Sequence, residues 1–132
     1  LIGAFHSPIA VIIDPSWLDS LSDRDFSAGL AEVVKCGFIR DATILDLIAG
    51  KSVEDIRKSR ETTVELIERS VAVKAHVVSG DFKESFDREI LNYGHTFGHA
   101  VEATAGYGTY VHGEAVAIGL VMAAAWTKAQ AY

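Results

Sequence analysis

Residues 91–100 read Leu-Asn-Tyr-Gly-His-Thr-Phe-Gly-His-Ala and place His95 and His99 four positions apart, each directly after a glycine. On a helix, residues at i and i+4 share a face, so both imidazoles point the same way. Gly94 and Gly98 take side-chain bulk away beside them, which lets another backbone or a ligand come close. His112 follows in Val-His-Gly-Glu-Ala, so three of the five histidines fall in one short stretch. Histidine is the commonest protein metal ligand. The same short pattern also describes a surface pair or a packed pair with satisfied nitrogens, and the glycines can serve helix packing alone.

Charged residues on partly apolar faces extend the set. Between Phe26 and Ile39 the stripe Phe26, Leu30, Val33, Val34 and Gly37 is apolar, while Ala28, Glu32, Lys35 and Ile39 form a second, mixed face. Glu32 and Lys35 are i, i+3 neighbours, which reads either as a solvated ion pair or as part of a site. Lys74 follows Val64, Ile67 and Val71 at helical spacing, in the middle of an apolar stripe. A lysine there snorkels, pairs, or faces a ligand. Glu32, His95 and His112 together would supply one carboxylate and two neutral imidazoles from three helices, a set that suits a zinc-type ion with open positions. A closed structural site would want a fourth ligand such as Cys36, which reads as lying on another face from Glu32 and as a small buried filler. Lys35, Lys74, Arg88 and His99 would then surround an anionic substrate.

The elements that must position these groups are mostly helices. An apolar run at 10–14, ended by Asp14-Pro15, reads as a short strand, and Ser16 to Leu21 as a helical turn. Asp23 or Asp25 can cap a helix running to about Ile39. Two short helices follow, from about Ala42 to Ala49 with Gly50 as the stop, and from Val53 to about Ser59. Glu61 to about Ser79 reads as a long helix on Val64, Ile67, Val71, Ala75 and Val78. The mixed charge run from Asp81 to Glu89 reads as a solvated loop. Arg88 or Ile90 opens the histidine helix, which ends near Ala105-Gly106, and a last helix starts at about His112. Such an array is mainly α and can build a site between facing helices.

Bulk properties narrow the function classes. The 132 residues suffice for one domain with a modest core, and 49% hydrophobic against 23% charged residues is ordinary for a globular chain. The formal net charge of -6 argues against a nucleic-acid partner, while local Lys and Arg can still hold a small anion. A single cysteine suits a reducing compartment. No signal peptide is visible. The run from Ala115 to Trp126 is about a dozen residues against the ~20 of a membrane span, and reads as a buried core helix.

Four segments, Ala28-Gly-Leu-Ala-Glu-Val-Val-Lys35, Lys74-Ala-His-Val-Val78, Arg88 through Ala100, and His112-Gly-Glu-Ala-Val-Ala-Ile-Gly119, with the opening Gly3-Ala-Phe-His-Ser-Pro8, together resemble the 3-dehydroquinate synthase family. The likeness covers essentially the whole chain, 1–132, and part of it is shared by the wider sugar phosphate cyclases and, more distantly, by glycerol-dehydrogenase-like enzymes. It implies a two-domain enzyme, an α/β NAD-binding domain followed by a helical metal- and substrate-binding domain. This chain would be the first part of the latter, without the NAD-binding domain. No glycine-rich dinucleotide fingerprint occurs in it.

The resemblance implies that Glu32, His95 and His112 hold Zn2+ (or Co2+) and that Lys35, Lys74, Arg88, Asn92 and His99 contact substrate, with Glu84 a further active-site position. His99 is then not a metal ligand although its spacing would allow it. Phe82 departs from the family pattern, where an acidic residue is expected. The implied activity is a cytoplasmic lyase step of the shikimate pathway of aromatic amino-acid biosynthesis. In it 3-deoxy-D-arabino-heptulosonate 7-phosphate becomes 3-dehydroquinate and phosphate, with NAD in the full-length enzyme, which would be a homodimer. The partner class is a small anionic sugar phosphate, with no nucleic acid and no membrane. The chain alone is expected to be inactive. The rival readings are another sugar phosphate cyclase, a simple NAD-dependent alcohol dehydrogenase, and a non-catalytic helical fragment whose histidines only pack.

Overall fold

The computed structural model describes residues 6, 8–80, 86–106 and 108–130, with backbone alone at 80 and 86–88. A 3-10 helix, Pro15–Ser20, leads into α1 (Asp23–Ile39), α2 (Thr43–Ile48), α3 (Val53–Lys58) and α4 (Arg60–Gly80). A second 3-10 helix, Phe86–Asn92, precedes α5 (His95–Ala105) and α6 (His112–Gln130). Mainly α is therefore the observed class.

Local chemistry sets the boundaries. Ser22, not Asp23 or Asp25, caps α1: its side chain accepts from the Asp25 backbone N–H, and the two aspartates fill the first turn, where the helix dipole favours them. Ser52 and Asp55 form a reciprocal capping box at the start of α3. Gly50 stops the chain after α2 at φ +74°, as its position in sequence suggests.

The core lies between α1 and α2–α4. Phe26, Cys36, Ile44, Ile56, Leu66 and Val73 form it, and Ile44 and Ile56 are fully buried. Burial of each large aliphatic side chain stabilises by about 1.5–3 kcal/mol. Arg69 of α4 ties this core to the α1–α2 turn at 3.0 Å from Asp41, and its guanidinium holds that carboxyl below the usual carboxylate range. The second packing region is the α5–α6 pair laid against α1. There Ala115, Val116, Leu120 and Ala123 are buried.

Glycines decide how closely those helices approach. A Cβ on Gly119 of α6 would stand 2.0 Å from the Gly94 carbonyl oxygen, and one on Gly113 would stand 2.0 Å from that of Ala28 in α1. Arg24 of α1 donates from Nε and Nη2 to the two carboxylate oxygens of Glu114, at 2.6 and 2.7 Å. That guanidinium, helped by the Val111 backbone N–H, brings the Glu114 carboxyl down to about 2.

Several expectations are corrected. Residues 10–14 form no strand. They are exposed, with Ile12 93% accessible, and among the described residues no strand stands beside them to share a ladder. The histidine helix starts at His95, later than Arg88 or Ile90, because Gly94 takes the left-handed conformation at φ +81° and separates it from the 3-10 turn. The buried face of α4 runs through Thr62, Thr63, Leu66 and Val73, while Val71 and Ala75 are exposed. The apolar residues at 64, 67, 71, 75 and 78 therefore do not define its core face. α6 is buried along one side only, with Val121, Met122 and Trp126 exposed.

Candidate metal centre

Three helices deliver three ligand groups to one point. Glu32 sits in the third turn of α1, and His95 and His112 are the first residues of α5 and α6. Their ligand atoms all lie within 4.8 Å of one another. His95 Nε2 is 3.4 Å and His112 Nε2 3.9 Å from Glu32 Oε1. Metal–ligand bonds of about 2.1 Å place tetrahedral ligands about 3.4 Å apart, which is the His95–Glu32 separation, while His112 stands further off at 3.9 Å.

The protons fit as well. His95 Nδ1 faces the Tyr93 carbonyl at 3.4 Å, and His112 Nδ1 faces Glu102 Oε1 at 3.1 Å. Both partners are acceptors, so a proton on Nδ1 of each neutral ring is satisfied there and leaves the Nε2 lone pair free for the shared point. Glu32 Oε1 is buried and has no hydrogen-bond partner among the described residues. A buried carboxylate oxygen facing two nitrogen lone pairs costs free energy unless a cation joins them. The residues present therefore fit a bound metal ion.

A cleft of about 840 Å³ opens beside the three ligands, lined further by Lys35, Ser70, Lys74 and Asn92. Lys35 is nearly buried and its Nζ lies 2.6 Å from Glu32 Oε2. It neutralises the oxygen that the metal set does not use. Lys74 is exposed and lines the cleft, where its ammonium can face a ligand. Leu91 and Glu89 of the second 3-10 helix complete the wall.

Not every expected residue joins this cleft. His99 is exposed one turn along α5, with its ring centroid 5.7 Å from that of His95 and 6.0 Å from that of His112, outside the lining. With Glu102 and His112 it forms a second potential ligand group. Glu84 lies outside the described residues, as does Phe82, and Arg88 is described in its backbone only, within Phe86–Asn92. Cys36 is a correction. It is buried as expected, but it lines the same cleft as Glu32, one helical turn on, and so shares its face. Burial pushes its thiol up, away from the thiolate a metal would need. Glu102 escaped sequence reasoning, although 95, 99 and 102 make an i, i+4, i+7 stripe that could have revealed it.

Comparison with known proteins follows the same residues. The family model of the 3-dehydroquinate synthase C-terminal region matches residues 29–132. The 3-dehydroquinate synthase of Thermobifida fusca (strain YX) is 53% identical over 124 residues, covering 94% of this chain and 33% of its own length. That of Prochlorococcus marinus (strain MIT 9303) is 51% identical over 125 residues, covering 92% and 33%. The chain thus spans about a third of the length of the curated relatives it matches. Among solved structures, the 2-epi-5-epi-valiolone synthase ValA from Streptomyces hygroscopicus subsp. jinggangensis 5008, with NAD+ and Zn2+ bound, superposes with a TM-score of 0.72 at 31% identity. The match covers 81% of this chain and 30% of that one.

Proposed function

Because this chain belongs to the 3-dehydroquinate synthase family, within that family's C-terminal region, we propose that it supplies the metal and substrate half of a 3-dehydroquinate synthase. The protein that carries it eliminates phosphate from 3-deoxy-D-arabino-heptulosonate 7-phosphate and closes the carbocycle of 3-dehydroquinate. The observation that carries the reading is the convergence of His95 and His112 on Glu32, whose buried Oε1 has no hydrogen-bond partner among the described residues, at the edge of a lysine-lined cleft.

Glu32, His95 and His112 would hold the ion, with zinc favoured by the one-carboxylate, two-imidazole donor set and by the Zn2+ in the ValA structure. Bound there, such an ion supplies Lewis-acid polarisation of substrate oxygens. The chain's own side chains do the rest. Lys35 and Lys74 attract and orient the anionic sugar phosphate, and Asn92, which lines the same cleft, offers both a donor and an acceptor to its hydroxyls. Arg88, Glu84 and His99 belong to the same proposal as further substrate-contacting positions, His99 as a group that moves a proton near the phosphate. NAD enters for the whole protein, in keeping with the NAD+ bound to ValA. This chain carries no dinucleotide fingerprint, and hydride transfer is assigned to none of its residues.

A different sugar phosphate cyclase is the second reading, favoured by the likeness to a valiolone synthase. Phosphate release by the full-length protein from heptulosonate 7-phosphate, compared with other sugar phosphates, separates the two. Calorimetry with zinc tests the centre itself. One ion per chain is expected, with affinity lost in His95→Ala. Equal binding by the wild type and that variant would remove the metal assignment, and the synthase reading with it.

A further inference from the structure

His112 is the least constrained of the three metal-facing groups. Its side chain is 52% exposed, against 15% for His95, so packing does not fix its ring. It stands between two carboxylates, with Nε2 3.9 Å from Glu32 Oε1 and Nδ1 3.1 Å from Glu102 Oε1. A ring whose two nitrogens face two acceptors on opposite sides can protonate only one of them while neutral. The nearer acceptor is Glu102, the one of the two within hydrogen-bond distance of its ring nitrogen.

We propose that Glu102 is the positioning residue of the centre: its carboxylate accepts the Nδ1–H of His112 and so aims the Nε2 lone pair at the point shared by Glu32 and His95. The inference rests on the metal reading above. Glu102 lies on α5, seven residues after His95. One helix thus provides a ligand in its first turn and, two turns on, the anchor for the ligand of the next helix. A carboxylate is the strong form of this contact, because a charged acceptor roughly doubles a neutral hydrogen bond and raises the basicity of the ligating nitrogen.

The alternative use of the same carboxylate is direct ligation with His99 and His112. The two uses part under substitution. In the full-length protein, zinc affinity is measured by competition with a chromogenic chelator, in the absence of substrate. Glu102→Ala is expected to weaken zinc about 10–100-fold. Glu102→Gln keeps an acceptor oxygen without the charge and should fall between that variant and the wild type. His99→Ala should bind zinc as the wild type does, and the metal-free melting temperatures of all three variants should match the wild type. The absorption spectrum of the Co2+ form should change in Glu102→Ala with one ion still bound per chain.

Wild-type affinity in Glu102→Ala, alongside loss in His95→Ala, would overturn the positioning role and leave the metal centre standing. An equal loss in His99→Ala and Glu102→Ala would overturn it in favour of direct ligation. Undiminished binding in His95→Ala would bring down the centre and this inference together.

Discussion

Glu32 has different tasks for its two oxygens. Oε2 is 2.6 Å from the buried Lys35 ammonium, and Oε1 is buried beside two imidazoles without a hydrogen-bond partner among the described residues. Removing the carboxylate should therefore separate metal binding from folding. At a zinc concentration of 100 times Kd, binding adds about 2.7 kcal/mol to the stability of the native state, a rise of several degrees in melting temperature. Differential scanning calorimetry should record that rise in the wild type and none in Glu32→Gln. Lys35→Met, which takes away only the neighbouring cation, should keep the rise while the full-length protein loses affinity for its anionic substrate. A zinc-dependent rise in Glu32→Gln equal to the wild type would remove Glu32 from the ligand set. The juxtaposition is legible in sequence through residue type: Glu32, His95 and His112 are the expected trio, and the fold brings their ligand atoms together. What spacing did not convey was the surroundings. Cys36 reads as lying on another face, yet at i+4 it shares the cleft wall with Glu32. Glu102 gains its contact only when the fold brings His112 to it.

Between helices, the decisive atoms are the ones glycine lacks. Gly119 meets the Gly94 carbonyl, and Gly113 meets Ala28, at distances no Cβ could share. Gly119→Ala must push α6 off α5, at a cost of about 1–3 kcal/mol or more, and it moves His112 relative to His95. Thermal melting and zinc affinity should therefore fall together. Gly29 is the matched control: it lies in α1 with no atom within 4 Å of an added Cβ. Gly29→Ala should gain about 0.5–1 kcal/mol from helix propensity alone. A Gly119→Ala protein as stable as the wild type would mean that the helices do not cross this closely. The glycines before the two histidines hinted at close approach, and Gly94 and Gly98 both meet α6. The same pair hid a boundary, because a single left-handed residue at Gly94 starts the helix later than hydrophobic periodicity suggests. Periodicity also misread α4. Its buried face includes Thr62 and Thr63, whose polarity removes them from an apolar template, though the Thr63 hydroxyl satisfies itself on the Ile56 carbonyl at 3.0 Å.

Across the whole molecule, α1 is the shared wall of two packing regions. Phe26 and Cys36 belong to the core with α2–α4, whereas Ala28, beside Gly113, and Glu32, beside His95 and His112, meet α5 and α6. The helical class was readable from the pattern of stripes and stops. The run at 10–14 was not, because β-branched composition states a preference for a pleated surface, and only a neighbouring strand can satisfy it. The large apolar side chains left exposed in and beside that run and on α6, Ile9, Ile12, Trp17 and Trp126 among them, follow no rule visible in the chain. The division into two regions makes a prediction about metal removal. The core of α1–α4 is held by large aliphatic side chains, while the α5–α6 region relies on small residues, on Arg24 with Glu114, and on the proposed ion joining three helices. Chelation should therefore loosen the molecule locally. Amide hydrogen exchange should accelerate at least about tenfold at the start of α5 and of α6 when zinc is withdrawn, since a lost 1.4 kcal/mol is a factor of ten in opening. Exchange in α4 around Leu66 and Val73 should hold its rate. A uniform acceleration over all six helices would mean instead that the two regions open as one cooperative unit, with α1 transmitting the loss at Glu32 into the core.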